Sequence, residues 1–276
     1  MQVSFYKQDF IGELIGTFML IVFGCGAIAV ATTLNGYEGI FQVAMIWGLS
    51  VTLGIYTVRH LSCAHFNPAI TLAMVFSRRM SWKKVPSYFL GQFIGAFLGA
   101  LMVYILFSAP IADYESKHNI VRGSIESVKT ARIFSAFYIY GDGTSVITLS
   151  AAMITELFGT FMLMLLVLAL TEGCHVGRPG NNLSPIIVGL VVASIICLVG
   201  PLTQAGLNPA RDLAPRLVTW IMGWGEASMQ SINGGFLLVY TFSPILGAAV
   251  ATVFYDKVLK KSMMEASSSC ICKDED

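Results

Sequence analysis

"GLNPARDLAPR", residues 206–216, sets Asn, Pro, Ala, Arg and Asp side by side in a chain that otherwise avoids charge. Much earlier, "AHFNPAITLAM" (64–74) carries the same Asn-Pro-Ala without the two charges. Pro68 and Pro209 suit the first turn of a helix, where no N–H donor is needed. Asn67 and Asn208, just before them, are good N-cap residues. One such tripeptide is an ordinary capped helix start. Two copies 141 residues apart ask for a common cause in the fold.

Composition sets the frame. The 276 residues are 55% hydrophobic and 12% charged, with mean hydropathy +0.72. A soluble domain carries about 25% charged residues. "LIGTFMLIVFGCGAIAVA" (14–31) and "GTFMLMLLVLAL" (159–170) are long and nearly free of ionisable groups. A spanning helix needs about 20 apolar residues, so the chain reads as a polytopic α-helical protein whose surroundings are the lipid bilayer. A net charge of +1 and the lack of a basic tract leave no nucleic-acid role. The first apolar run outlasts the 7–15-residue core of a signal peptide and contains Glu13, so it is read as a retained helix. The six cysteines (25, 63, 174, 197, 270, 272) follow no disulfide framework. Cys270 and Cys272 alone are weak grounds for a metal site.

Hydropathy predicts spans near 9–32, 40–58, 85–107, 148–170, 185–203 and 235–258. Two shorter apolar segments, 67–77 and 208–220, follow the Asn-Pro-Ala motifs. At roughly 1.5 Å per residue each covers about half a bilayer core, so both are expected as half-helices. Lys7, Arg78, Arg79, Lys83, Lys84, Lys257, Lys260 and Lys261 fall on one side of six spans. The positive-inside rule makes that side, with both termini, cytoplasmic. "IGELIGTFMLIVFGCG" (11–26) matches "ITELFGTFMLMLLVLA" (154–169), pairing Glu13 with Glu156. Each half then holds three spans and one half-helix. Three is odd, so the second half enters from the opposite side, as an inverted repeat. The expected organisation is one membrane unit over 1–262. It comprises a first repeat over about 5–107, an outer connection 108–147, a second repeat over about 148–260, and a disordered cytoplasmic tail, 263–276.

Inversion sends the two half-helices in from opposite leaflets to meet near the midplane. Each capped N-terminus carries about +0.5 of effective charge, so the pair repels cations. The irregular backbone before each, Cys63–Phe66 and Gln204–Leu207, is tolerable at that depth only where it lines a wet cavity. Its free carbonyls then form a ladder of acceptors. Gly91, Gly95 and Gly99 have the small-xxx-small spacing of close helix crossings.

These features resemble the aquaporin superfamily in its glycerol-facilitator branch. The residues that carry the resemblance are "SCAHFNPAITLAM", "GPLTQAGLNPARDLAPR", the paired glutamates, "MIWGLS" and "HNIVRGSIES". The resemblance implies a fold of six helices and two half-helices, assembled as a homotetramer with one channel in each protomer. It gives Asn67 and Asn208 the part of central donors and Arg211 that of a filter cation. It gives Trp47 the part of an aromatic wall for a polyol's CH face. Glu13 and Glu156 become buried braces for the re-entrant loops, and Asp212 a local anchor. Cys63, Ala64, His65, Gln204 and Gly206 join the pore lining. One departure stands out. The branch typically reads Gly-Phe where this chain has Gln204-Ala205, and a small glycine where it has Ile196. The filter is therefore expected to be less aromatic and differently shaped.

The function expected is a passive channel for small uncharged polyhydroxy solutes, with some water passage and no cofactor. Larger polyols, diols or urea are alternative cargoes. A gradient-coupled transporter is the rival class, but the membrane acids are only the symmetric Glu13 and Glu156 and the loop Asp212. A strict water channel is disfavoured by Asp212 and Ala205. An enzyme would need a nucleophile–base pair or metal cluster, and none is visible. His60, His118 and His175 are read as loop residues without function. A chain with no long extensions and no glycosylation signal on its outer loop points to a bacterial inner membrane.

Overall fold

Leucine, isoleucine, valine, methionine and phenylalanine cover the long runs on every side, so helices form with no polar face and are sorted by packing. The computed structural model describes residues 5–140, 142–172, 178–231 and 234–270, with side chains through 265. Among them are helices α1 (Lys7–Leu34), α2 (Ile40–Val58), the short α3 (Pro68–Phe76), α4 (Val85–Lys117), α5 (Leu149–Thr171), α6 (Ser184–Thr203), the short α7 (Pro209–Thr219) and α8 (Leu238–Glu265). All but α3 and α7 are long and apolar enough to cross a membrane, which makes six spans. Phe23, Leu49, Leu98, Ile105, Leu190, Leu198 and Val250 stay exposed on the outer surface of the bundle, as lipid contact requires.

Two boundaries differ from expectation. Helix α4 runs ten residues past 107 and through Pro110 to Lys117, into the stretch read as outer connection. Its 33 residues make about 50 Å of helix, against a bilayer core of about 30 Å. The projecting end is held by buried Ile111 and by the Glu115–Arg122 ion pair. At the other end, helical backbone continues from α8 through Cys270, inside the segment expected to be disordered. A Lys261–Glu265 pair one turn apart accompanies it. Cys174, His175 and Cys272 lie outside the described residues.

The inverted repeat is legible in the packing. Helix α1 lies along α4, and its counterpart α5 lies along α8, while α2 and α6 cross at the boundary between the halves. The crossing is made by glycine. A Cβ on Gly48 would come 2.4 Å from the Gly189 carbonyl, and one on Gly189 would come 2.5 Å from the Gly48 carbonyl. The two positions are again 141 apart. Within the halves, a Cβ on Gly95 would meet the Leu14 carbonyl at 2.3 Å, and one on Gly247 would meet the Leu157 carbonyl at 2.2 Å. Gly91 and Gly99 likewise abut α1 carbonyls. Backbone contact of this kind leaves no rotamer to relieve a larger side chain. Gly95→Val and Gly247→Val should each cost about 3 kcal/mol or more, read as a lower melting temperature and loss of monodisperse protein in detergent. Wild-type melting in both would mean that these crossings are not tight.

Candidate pore

The chain enters α3 and α7 through segments that no helix or sheet supports. Ala64 and Phe66 are left-handed (φ +54° and +53°), and so are Ala205 and Leu207 (φ +51° and +53°). The same pair of unusual residues thus recurs at a spacing of 141. Such conformations are costly for residues with a Cβ and persist only where surroundings over-determine them. Here two buried carboxylates do so. Glu13 accepts from the His65 and Phe66 N–H groups, the Ser62 hydroxyl and the Gln92 amide. Glu156 accepts from the Gly206 and Leu207 N–H groups and the Thr203 hydroxyl. Neither is exposed at all, and every oxygen faces a donor.

The half-helices meet cap to cap. The Asn67 Oδ1 accepts from Ala69 N–H, and the Asn208 Oδ1 from Ala210 and Arg211 N–H. Each amide nitrogen then crosses to the opposite loop. Asn67 Nδ2 donates to the Leu207 carbonyl at 2.9 Å, and Asn208 Nδ2 donates to the Phe66 carbonyl at 2.7 Å. An amide has two N–H bonds, so one on each Asn is left over. Both residues line a cavity of about 720 Å³.

That cavity brings together Trp47, Ile196, Ala205 and Arg211, with Cys63, Ala64, His65, Gln204 and Gly206 along the re-entrant loops. Arg211 is 3% exposed. Its Nη1 donates to the Phe134 carbonyl at 2.7 Å, and its guanidinium carbon stands 4.6 Å over the Trp47 ring. A Cβ on Gly24 would sit 2.4 Å from that ring, so the indole is held between a helix backbone and a cation. Ile196 and Ala205 are the aliphatic members of the group with Trp47 and Arg211. His65 is turned to Thr71 and packs on Tyr88.

Asp212 is absent from the cavity wall. It accepts from Ala136 N–H at 2.8 Å and from Arg216 Nε at 3.0 Å. The sequence reading missed Arg216. It is 1% exposed, paired with Asp212, and donates to the Ser228 and Ala136 carbonyls. Its signal was there to find: a cation one turn after an acid, inside a short membrane helix. Also unforeseen was residue range 132–137, a strap that descends from the long connection to touch Arg211, Asp212, Arg216 and Gln204.

At the face that carries Lys7 and the end of α8, the cavity is lined by Arg59, His60, Arg79, Asn181 and Asn182. His60 lies in the turn after α2, as its loop reading expected, and also belongs to the cavity wall. His118, by contrast, is an exposed residue turned to the Tyr114 carbonyl. Arg79 pairs with Glu172 and Asp256, joining the end of α3 to α5 and α8. Burial alone would raise the Glu172 carboxyl, but hydrogen bonds from Arg79 and Lys260 outweigh it and hold it below the usual range.

Six spans around two half-helices joined at their N-termini, with a lined cavity at the joint, define an inverted-repeat membrane pore protein. The chain belongs to the major intrinsic protein family, which it matches over residues 1–255. It is 37% identical to the glycerol uptake facilitator protein of Escherichia coli K12, over 95% of this chain and 92% of that one. It is 35% identical to the propanediol uptake facilitator PduF of Citrobacter freundii, over 93% and 94%. The aquaglyceroporin of Plasmodium falciparum superimposes with a TM-score of 0.80 at 30% identity, covering 94% of this chain and 98% of that chain.

Two outcomes follow from this geometry. Glu156→Gln replaces an acceptor with an amide N–H₂ facing backbone donors and should lower stability by about 1–3 kcal/mol, read by thermal unfolding in detergent. An unchanged midpoint would deny Glu156 its bracing role. Cys63 should label with a small water-soluble thiol reagent in the folded protein, as mass spectrometry would report, while buried Cys25 stays unmodified. Protection of Cys63 equal to that of Cys25 would place it off the water-filled path.

Proposed function

We propose that the protein is a passive channel for small uncharged polyhydroxy solutes, passing some water as well. The observation that carries this reading is the single cavity lined by both half-helix caps, Arg211 and one apolar wall. The relatives named for glycerol and propanediol uptake support the same cargo class.

A solute entering the constriction loses water on both sides. On one side Arg211 offers the N–H groups that Phe134 leaves free, followed by the spare amide N–H of Asn208 and then of Asn67. The carbonyls of Ala64, His65, Ala205 and Gly206 accept from no described group and supply the hydroxyl protons with partners. On the other side Ile196, Val192, Val188 and Leu163 give the carbon chain an apolar track. Each hydroxyl exchanges one hydrogen bond for another, so no site holds the solute tightly. Cations and protons meet Arg211 and two positive helix ends. The solute itself supplies the driving force through its gradient, since the buried carboxylates are occupied in bracing backbone.

With no ring at 205, the polyol's CH face rests on aliphatic carbon and whatever edge of Trp47 the guanidinium leaves uncovered. This favours a cargo range reaching beyond glycerol to 1,2-propanediol and longer linear polyols. In this reading the basic face is cytoplasmic, both termini lie there, residues 1–262 form one channel unit, and the setting is a bacterial inner membrane. Four protomers assemble, each with its own pore.

Stopped-flow light scattering of proteoliposomes tests the reading. Glycerol and 1,2-propanediol should enter, with erythritol slower. Ala205→Phe should raise the glycerol-to-erythritol permeability ratio by about tenfold, the scale of one methylene in a tight pocket. Water passage with every polyol excluded would overturn the cargo assignment. Uphill accumulation under a proton or sodium gradient would overturn the channel itself.

A further inference from the structure

Gln204 occupies a place where the backbone alone favours another residue. It caps the end of α6 with φ +62°, the left-handed region in which glycine is at ease and a Cβ is not. Its repeat counterpart, Cys63, has no positive φ, so the symmetry of the fold does not impose this conformation. Something specific must hold a glutamine there.

The side chain shows what does. Oε1 accepts from Arg132 Nε at 3.0 Å and from Phe137 N–H at 2.9 Å, and Nε2 donates to the Arg132 carbonyl at 3.3 Å. One amide thus joins both ends of the strap 132–137. Between those ends the Phe134 carbonyl receives Arg211, and the middle of the strap is anchored to Asp212 and Arg216. Neither Asp212 nor Arg216 lines the cavity, whereas Gln204 does. Among the described residues, Gln204 and Arg211 are the cavity-lining side chains that hold the strap, and Gln204 alone of the two reaches both of its ends.

We propose that Gln204 is a positioning residue for solute selection: by spanning both ends of the strap it fixes the Phe134 carbonyl, which in turn aims Arg211 across the constriction. The role matters here because Ala205 and Ile196 offer no ring against which a solute could be sized. The place of the guanidinium then decides the width left beside them. A strap freed at both ends lets Phe134 and Arg211 withdraw together, and wider solutes gain most.

This inference rests on the channel reading, and the experiment separates the two. Permeabilities of glycerol and erythritol are compared in proteoliposomes of wild type, Gln204→Gly and Gln204→Glu. Glycine suits the left-handed backbone, so the first variant keeps the fold, as a melting temperature near that of wild type will show. Its erythritol-to-glycerol ratio should rise at least about threefold, the scale of coupling through one contact chain. Glutamate retains both acceptor contacts but loses the donor to the Arg132 carbonyl, and should bring the ratio back from the glycine value towards that of wild type. Arg132→Ala should shift the ratio in the same direction and add nothing in the Gln204→Gly background. An unchanged ratio in Gln204→Gly overturns the proposal. So does a proportional fall of both permeabilities, which marks a merely structural role, and so does failure of glutamate to rescue. If wild type passes neither solute, the channel reading falls first and this role with it.

Discussion

A backbone N–H carried into the middle of a membrane must find an acceptor, and the rest of this structure depends on how that is arranged. The amides of Phe66 and Leu207 have no helical carbonyl to donate to, and the Glu13 and Glu156 side chains receive them. A buried carboxylate is costly unless its lone pairs are taken up by donors. A loop amide at this depth is costly unless an acceptor reaches it. Each problem is the other's solution, and the exchange frees the loop carbonyls to face the cavity.

The caps extend the same logic across the symmetry axis. Asn67 and Asn208 hold their own half-helices with the amide oxygen and the opposite loop with the amide nitrogen. The two repeats are thereby joined cap to loop, and the glycine crossing of α2 and α6 is a second close contact between them. Charge is divided by task. Arg216 is spent on structure, with Asp212, Ser228 and Ala136 around it. Arg211 gives one nitrogen to Phe134 and lines the cavity. The motif "PARDLAPR" therefore holds one cation on the cavity wall, one buried anchoring cation and the acid paired with the second.

Much of the fold was legible because membranes impose simple rules on sequence. Twenty apolar residues cross, ten do not, and an odd number of crossings inverts a repeat. The end of α4 was not legible, since Pro110 and polar residues read as loop until Glu115, Arg122 and buried Ile111 are seen holding them. Within the pore, the two Asn-Pro-Ala motifs and Arg211 could be found by pattern. Arg216 had a local signal in Asp212 one turn before it, whereas the partners of Gln204 lie 72 and 67 residues away in the strap.

The sequence by itself determined the spans, the inversion, the facing half-helices and the residues that gather at their joint. It could do so because hydrophobic length and capping are local properties that survive without knowledge of neighbours. Only the tertiary structure decided how Arg211 is held, which of the two arginines lines the cavity and which side chain ties down the strap. Those answers depend on hydrogen bonds between segments distant in sequence, where an ångström of placement, rather than residue type, sets the width of a path.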